Sequence, residues 1–461
     1  MRGAARPTLQ LTSLEAGMLA GDEGAGVALA MRVVTALAAV QGAESLIEVG
    51  SAHVDSCLYH GRAGLDFAQR LVALGARVRI PTTLNVGSLD LLHPGTVHED
   101  AEHPGLLSSG RALMDAYVAL GARPTWTCAP YQVDSRPGYG EHVAWAESNA
   151  IVFANSVLGA RTDRYGDFLD ICAAVTGRVP LAGLHTDGAR RATLVVDLRS
   201  VPRGLLVDPS WYAVVGLVVG QLAGSAVPAL LGLPGDTGED QLKALGATAA
   251  SAGGIGMFHA VGVTPEAPTL DAVADPGVPV HVVDEARLRE ARASLCTRAV
   301  RGGEDTWAAG ADARVGLDAP GVDASGGVAS GGADALDRLD AVSLGTPHAS
   351  LAELTALAAE LRRAGVRVRD GVQAYVSTGR GVLALARETG AAEVITAAGF
   401  RIVVDTCTYV VPILAPGTRV VMTNSGKWAH YAPGNLGVDV VLGTLAECVA
   451  SAAAGRVVLD E

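Results

Sequence analysis

The stretch AVSLGTPHASLAELTALAAELRRAGVRVRDGVQAYVSTGRGVLALARE, Ala341–Glu388, decides the fold class. It reads as a strand over Ala341–Leu344, a helix over Ser350–Arg363, strand or edge over Val366–Arg369 and Ala374–Ser377, and a helix over Gly381–Glu388. The pattern continues with strands at Ile402–Asp405, Arg419–Met422 and Val438–Leu442, then a helix over Leu445–Ala454. Strand and helix in strict alternation favour an α/β architecture with largely parallel sheets, because each crossover helix covers the sheet it leaves.

Upstream of this unit, residues 301–340 are dense in Gly, Ala, Asp and Ser, with Trp307 as their bulk. Such composition buries little and loses much entropy on ordering, so a flexible insertion or linker is expected there. Before it the alternation is present again. Thr12–Glu15 is a cap-like start, Val27–Gln41 a helix, Ser45–Val49 a strand, Gly64–Leu74 an amphipathic helix and Arg77–Ile80 a strand. The expected organisation is therefore an N-terminal α/β region over 1–300, the insertion over 301–340 and a C-terminal α/β subdomain over 341–461.

Composition bounds the function. A chain of 461 residues exceeds what one hydrophobic core usually supports, so two or three compact units are expected. The 57 glycines have no triplet period and apolar residues make up 49%, which excludes collagen-like and disordered classes. A formal net charge of −13 argues against a nucleic-acid partner. The N-terminus lacks the apolar core of a signal peptide, and Tyr212–Leu233, the longest apolar stretch, is broken by Gly216, Gly220, Gln221, Gly224 and Pro228. That reads as a buried helix or strand pair, with no membrane span, and a cytoplasmic location is expected. Six cysteines without a CxxC pair fit a reducing compartment.

Between Pro124 and His185 polar and small residues interrupt every apolar run, as in a region lining a site. Cys128, Cys172 and Cys407 stand in separate loops or element ends, from which three thiolates could hold an iron centre with one position open; buried small hydrophobes are the alternative. Thr82 and Thr83 follow an expected strand, where open α/β sheets bind ligands or where a helix is capped. Asn424–Lys427 resembles a phosphate-type turn without Walker spacing. No GxSxG, HExxH or well-placed GxGxxG is present.

The runs SAHVDSCLYHGRAGLDFAQRL (Ser51–Leu71), TWTCAPYQ (Thr125–Gln132), GEHVAWAESNAIVFANSVLGARTDRYGDFLDICAAVTGRVP (Gly140–Pro180), MFHAVGVTPEAPT (Met257–Thr269), VVDTCTYVVPI (Val403–Ile413) and TNSGKWAHYAPG (Thr423–Gly434) closely resemble the large catalytic part of aconitase X. The resemblance covers nearly the whole chain outside the insertion. It implies three α/β subdomains with mostly parallel sheets, the swivelling domain being absent from this chain and expected on a separate small subunit that supplies a catalytic serine. It implies an iron-dependent hydro-lyase dehydrating cis-3-hydroxy-L-proline to Δ1-pyrroline-2-carboxylate, with a mevalonate 5-phosphate dehydratase large subunit or a non-catalytic scaffold subunit as alternatives. The archaeal branch carries a cysteine in a GCPH turn where this chain has Gly345-Thr346-Pro347-His348, and lacks one where this chain has Cys172. That difference favours the hydroxyproline branch and implies Cys128, Cys172 and Cys407 as ligands of an iron–sulfur cluster, 2Fe–2S first, with 4Fe–4S and mononuclear iron as alternatives. Lys427 and His185 are then the catalytic candidates on this chain, and Thr82, Thr83, Asn155, Arg161 and Arg164 the substrate-binding ones.

Overall fold

The computed structural model describes residues 8–99, 103–297 and 338–459. The insertion expected at 301–340 lies, up to residue 337, outside them. The first stretch runs α1 (Ser13–Ala20), α2 (Ala25–Gln41), β1 (Leu46–Glu48), β2 (Ala52–Val54), α3 (Arg62–Ala73), β3 (Thr82–Leu84), α4 (Leu106–Ala119), β4 (Ala144–Trp145), α5 (Ser148–Val152), α6 (Leu169–Thr176) and β5 (Arg178–Pro180). The second runs β6 (Leu194–Asp197), α7 (Ser210–Ala223), β7 (Pro228–Leu231), α8 (Glu239–Ala252), β8 (His259–Ala260), α9 (Leu270–Val273), β9 (Val280–Val282) and α10 (Glu285–Ser294). The third runs β10 (Ala341–Ala349), α11 (Leu351–Ala364), β11 (Gln373–Thr378), α12 (Arg380–Glu388), α13 (Ala391–Ala397), β12 (Arg401–Val403), β13 (Val420–Thr423), α14 (Gly426–Leu436), β14 (Asp439–Leu442) and α15 (Leu445–Ala454).

Each stretch builds its own parallel sheet, ordered β3-β2-β4, β8-β7-β6-β9 and β12-β11-β10-β13-β14. An antiparallel pair, β1 with β5, lies beside the first. The α/β expectation holds, and local chemistry accounts for the helix boundaries. Ser350 and Thr444 accept from the backbone of Glu353 and Glu447, whose carboxylates reach back, so α11 and α15 begin at capping boxes. Gly365 and Gly455 end the same helices in left-handed conformation.

Two expectations shift. Arg77–Ile80 is irregular, and the strand falls instead on Thr82–Leu84, placing both threonines inside β3. Val366–Arg369 is likewise irregular, with the pairing on Gln373–Thr378. The apolar stretch from Tyr212 divides into α7 and β7. Its glycines are the contact surface of α7 with α8: a Cβ on Gly216 would stand 2.2 Å from the Leu245 carbonyl oxygen, and one on Gly220 2.6 Å from that of Ala249. Among the described residues no single helix is long and apolar enough to cross a membrane.

Candidate active site

In parallel sheets, side chains with chemistry gather where strands end, because the loops there are free of crossover packing. Here the carboxyl ends of the first and third sheets meet. Gly87 N–H donates to the Asp405 carbonyl (2.7 Å), Leu91 N–H to the Asp405 carboxylate (3.0 Å), and Val404 N–H to the Asp90 carboxylate (3.1 Å). Gly345, at φ +77°, kinks β10 where its register against β11 shifts, a conformation that only glycine fits, since a Cβ would lie 2.2 Å from the Ser377 carbonyl oxygen. That kink carries His348, near the end of β10, into the junction.

Cys128, His348 and Cys407 converge there, all buried, with ligand atoms within 4.8 Å of one another. The His348 N–H donates to Cys128 Sγ (3.2 Å), its Nδ1 pairs with Thr127 Oγ1 (3.0 Å) and its Nε2 with the Thr406 carbonyl (3.1 Å). Contact with the Cys128 thiol, then burial, hold the Cys407 thiol well above its ordinary pKa. Two residues before each thiol the backbone enters left-handed space, Trp126 at φ 48° and Asp405 at φ 65°. Such conformations cost about 1–3 kcal/mol each and persist only where surroundings impose them.

Beside the thiols, Lys427 on the first turn of α14 meets Glu147, the N-cap of α5, at 2.5 Å, and Ser148 Oγ at 3.3 Å. Both members of the pair are buried. Burial opposes both charges, but each is outweighed by the other: Lys427 stays well above the usual lysine value and Glu147 below the usual carboxylate value. Glu147 also accepts from Asn149 Nδ2 (2.7 Å), which donates in turn to the Cys128 carbonyl (2.6 Å), while Tyr131 OH donates to Asn149 Oδ1 (2.7 Å). One polar chain therefore connects Lys427 to the Cys128 peptide.

Several buried atoms here have no protein partner: Thr346 Oγ1, Thr406 Oγ1, Ser377 Oγ and Asn85 Oδ1. Orphaned buried polar atoms are costly unless something else satisfies them. A cavity of about 310 Å³ borders Thr346, Ser425 and Lys427 and reaches the buried Lys243, which is paired with Asp240 and Glu353. Asp55, just past β2, donates its backbone N–H to the Asp170 carboxylate; burial first, then the charge of Glu147, push its own carboxyl up to about 7.

The residues expected from sequence divide accordingly. Cys128, Cys407 and Lys427 come together. Cys172 is not among the converging donors; it lies in α6, wholly buried in the apolar core of the first stretch. His185 sits by the amino end of β4, its Nδ1 on His142 Nδ1 (2.9 Å) and its Nε2 on the Tyr165 hydroxyl, and burial lowers its pKa to about 3. Arg161 pairs there with Asp187, and Arg164 is exposed. Asn155 spends both ends of its amide on Thr162, Gly256 and Arg190. Thr83 is not at a strand end: its hydroxyl is 2.8 Å from His53 Nδ1, and Thr82 Oγ1 donates to the Ile80 carbonyl (2.8 Å). Sequence reasoning placed Glu147 and Asn149 only within the broad site-lining stretch and missed His348 and Asp405; the available signal was the Gly-Thr-Pro-His run inside a buried strand and the Glu147–Asn149 run opening a helix.

Family models for the first, second and third domains of aconitase X match residues 8–188, 192–293 and 339–454. Cis-3-hydroxy-L-proline dehydratases of Pseudomonas aeruginosa and Hypocrea jecorina are 40% and 37% identical, each over 97% of this chain and over 70% and 69% of their own lengths. A phosphomevalonate dehydratase large subunit of Methanothermobacter thermautotrophicus is 34% identical over 94% of this chain and 96% of its own. The crystal structure of holo-form aconitase X from Thermococcus kodakaraensis superposes with a TM-score of 0.78 at 30% identity, covering 96% of this chain and 100% of that one.

Proposed function

The chain belongs to the aconitase X family, whose relatives are named dehydratases, and on that footing we propose that it is the large catalytic part of a cis-3-hydroxy-L-proline dehydratase. The observation that carries the reading is the convergence of two thiols and an imidazole beside a buried lysine, where two sheets end.

Two thiols and an imidazole suit iron, alone or in a cluster, and the partnerless hydroxyls of Thr346 and Thr406 leave polar atoms for a bound group or substrate to satisfy. Cys128 and Cys407 would hold the iron–sulfur group, proposed as 2Fe–2S, with His348 as third donor in place of Cys172. Bound there, it would supply Lewis acidity to a departing hydroxyl. The reaction removes the Cα proton and the 3-hydroxyl as water, and the resulting enamine tautomerises to Δ1-pyrroline-2-carboxylate. Lys427 takes the substrate carboxylate as its ion partner, and Glu147 keeps that ammonium charged and aimed. Asn149 holds the Cys128 carbonyl, fixing the loop relative to Lys427. The base for the Cα proton is proposed on a small partner subunit, as the name of the archaeal large subunits supports. His185, Arg161 and Asn155 serve the folding of the first stretch in this reading.

Charge favours the imino acid over a phosphorylated substrate. The cations around the junction already have partners: Lys427 with Glu147, Arg380 with Asp405, and Lys243 with Asp240 and Glu353. A phosphate dianion would have to break these pairs, whereas one carboxylate can share Lys427. The test is anaerobic co-expression with a small-subunit partner, iron and sulfide analysis, and turnover assays on both compounds. Iron with sulfide and water elimination from cis-3-hydroxy-L-proline are expected; turnover of mevalonate 5-phosphate alone would overturn the substrate assignment, and neither iron nor turnover the enzyme reading.

A further inference from the structure

We propose that Arg380 is a positioning residue for the Cys407 thiol, acting through Asp405; this rests on the metal-site reading above. Asp405 stands two residues before Cys407 and is wholly buried. It is one of three non-glycine residues with positive φ among those described, the others being Trp126 and Phe168. A residue in that conformation sets the direction of the chain that follows it, so whatever holds Asp405 aims Cys407.

What holds it is a fork. Arg380 Nε donates to Asp405 Oδ1 (2.5 Å) and its Nη2 to Oδ2 (2.6 Å), while Leu91 N–H donates to Oδ2 (3.0 Å). Two parallel N–H···O bonds fix the orientation of a carboxylate as well as its position. The flanking residues are held too: Val404 by Asp90, the Thr406 carbonyl by His348 Nε2, and Thr408 Oγ1 by Trp428 Nε1 (3.0 Å). Those other anchors come from backbone groups or buried side chains. Arg380 differs, because it is the first residue of α12 and its side chain is 33% exposed. It can be changed without opening the core, and it ties the end of β11 to the Cys407 loop. Asparagine in place of Asp405 is the matched control: it tolerates left-handed φ nearly as well as aspartate but offers the guanidinium fork only one acceptor oxygen.

The experiment uses the purified full chain, stripped of metal and titrated with Co²⁺ alone under anaerobic conditions, reading thiolate-to-cobalt absorption and, separately, the melting temperature of the metal-free protein. Wild type is expected to show the thiolate bands. Removal of a residue that orients a ligand typically costs 10–100-fold in metal affinity, so Arg380→Gln and Asp405→Asn are each expected to weaken Co²⁺ binding by about tenfold or more, with Arg380→Lys between them and wild type. A merely structural role would lower the melting temperature and leave affinity alone. Arg380→Gln and Asp405→Asn within twofold of wild-type affinity would overturn the positioning role while leaving the metal site standing. Absence of thiolate bands in wild type would overturn the metal site and this inference together. Should Arg380→Gln not fold, Arg380→Lys and Asp405→Asn decide between these outcomes.

Discussion

Replacing Glu147 by glutamine keeps the side-chain shape and removes its charge. Lys427, 5% exposed, would then face Ser148 Oγ at 3.3 Å and no carboxylate. Stranding one partner of a buried ion pair costs about 3–5 kcal/mol, because the remaining charge keeps its desolvation penalty without its compensation. The amide oxygen of glutamine can still accept one of the bonds now made to Asn149 Nδ2 and the Ala150 N–H, so the N-cap of α5 adds at most about 1 kcal/mol. A loss of about 4 kcal/mol is expected. For a chain of 461 residues unfolding with about 2.1 cal/mol/K per residue, that lowers the melting temperature by about 4 °C in calorimetry at neutral pH. Burial shields the pair from counterions, so the drop should survive 0.5 M salt, whereas a surface pair's would fade. The paired variant Glu147→Gln/Lys427→Met removes both charges and should recover most of the loss. A drop under 1 °C for Glu147→Gln, or a double variant as unstable as the two singles added, would refute the reasoning.

With Co²⁺ bound, Cys128→Ser and Cys407→Ser should each remove roughly half the thiolate absorption, while Cys172→Ala keeps it; equal loss in Cys172→Ala would restore that residue to the ligand set. The Asp55 carboxyl rises from 3.8 in the unfolded chain to about 7 when folded, so its contribution is fully favourable below pH 3.8 and is lost as pH climbs through about 7. Asp55→Asn removes that dependence, and its melting temperature relative to wild type should improve steadily from pH 4 to pH 8; a constant difference would contradict it. Gly216→Ala drives a methyl into the Leu245 carbonyl and should destabilise by about 1–3 kcal/mol, whereas Gly64→Ala, in a helix with nothing within 4 Å of the added carbon, should stabilise by about 0.5–1 kcal/mol; urea midpoints of the two variants moving in the same direction would sink this contrast.

The third sheet was readable from sequence because β10 and β11, of nine and six residues, are long enough to bury apolar runs between amphipathic helices such as Leu351–Ala364, and the shorter strands follow in the same alternation. The first sheet was not, since two of its strands have three residues and one has two, too few for any period to establish itself. That is why Arg77–Ile80 looked like the strand and Thr82–Thr83 like its exit, when the pairing with Ala52–Val54 begins at Thr82. The site divides for a related reason. Cys128, Cys407 and Lys427 belong to runs whose residue types already matched a family. His348 reaches Cys128 across 220 positions and Lys427 reaches Glu147 across 280, contacts that exist only once two sheets are placed end to end.

Cys172 shows what sequence lacks at such a junction. Its neighbours in the chain, Asp167 and Asp170, are polar and look like the edge of a site, and the buried Asp170 does turn its carboxylate to the end of β2, accepting from the Asp55 and Ser56 N–H groups. Two residues on, a helix has turned by more than half a circle, which carries Cys172 from the strand ends into the apolar core with Ile171 and Val175. Which side of a short helix a thiol occupies depends on where that helix begins, and α6 begins after Phe168, whose φ of 74° could not have been read from the residue type. Of the three cysteines that the resemblance implied, Cys128 and Cys407 therefore stand together at the junction while Cys172 lies in the core, and the imidazole of His348, carried there by the glycine-permitted kink of β10 at Gly345, is the third donor beside them.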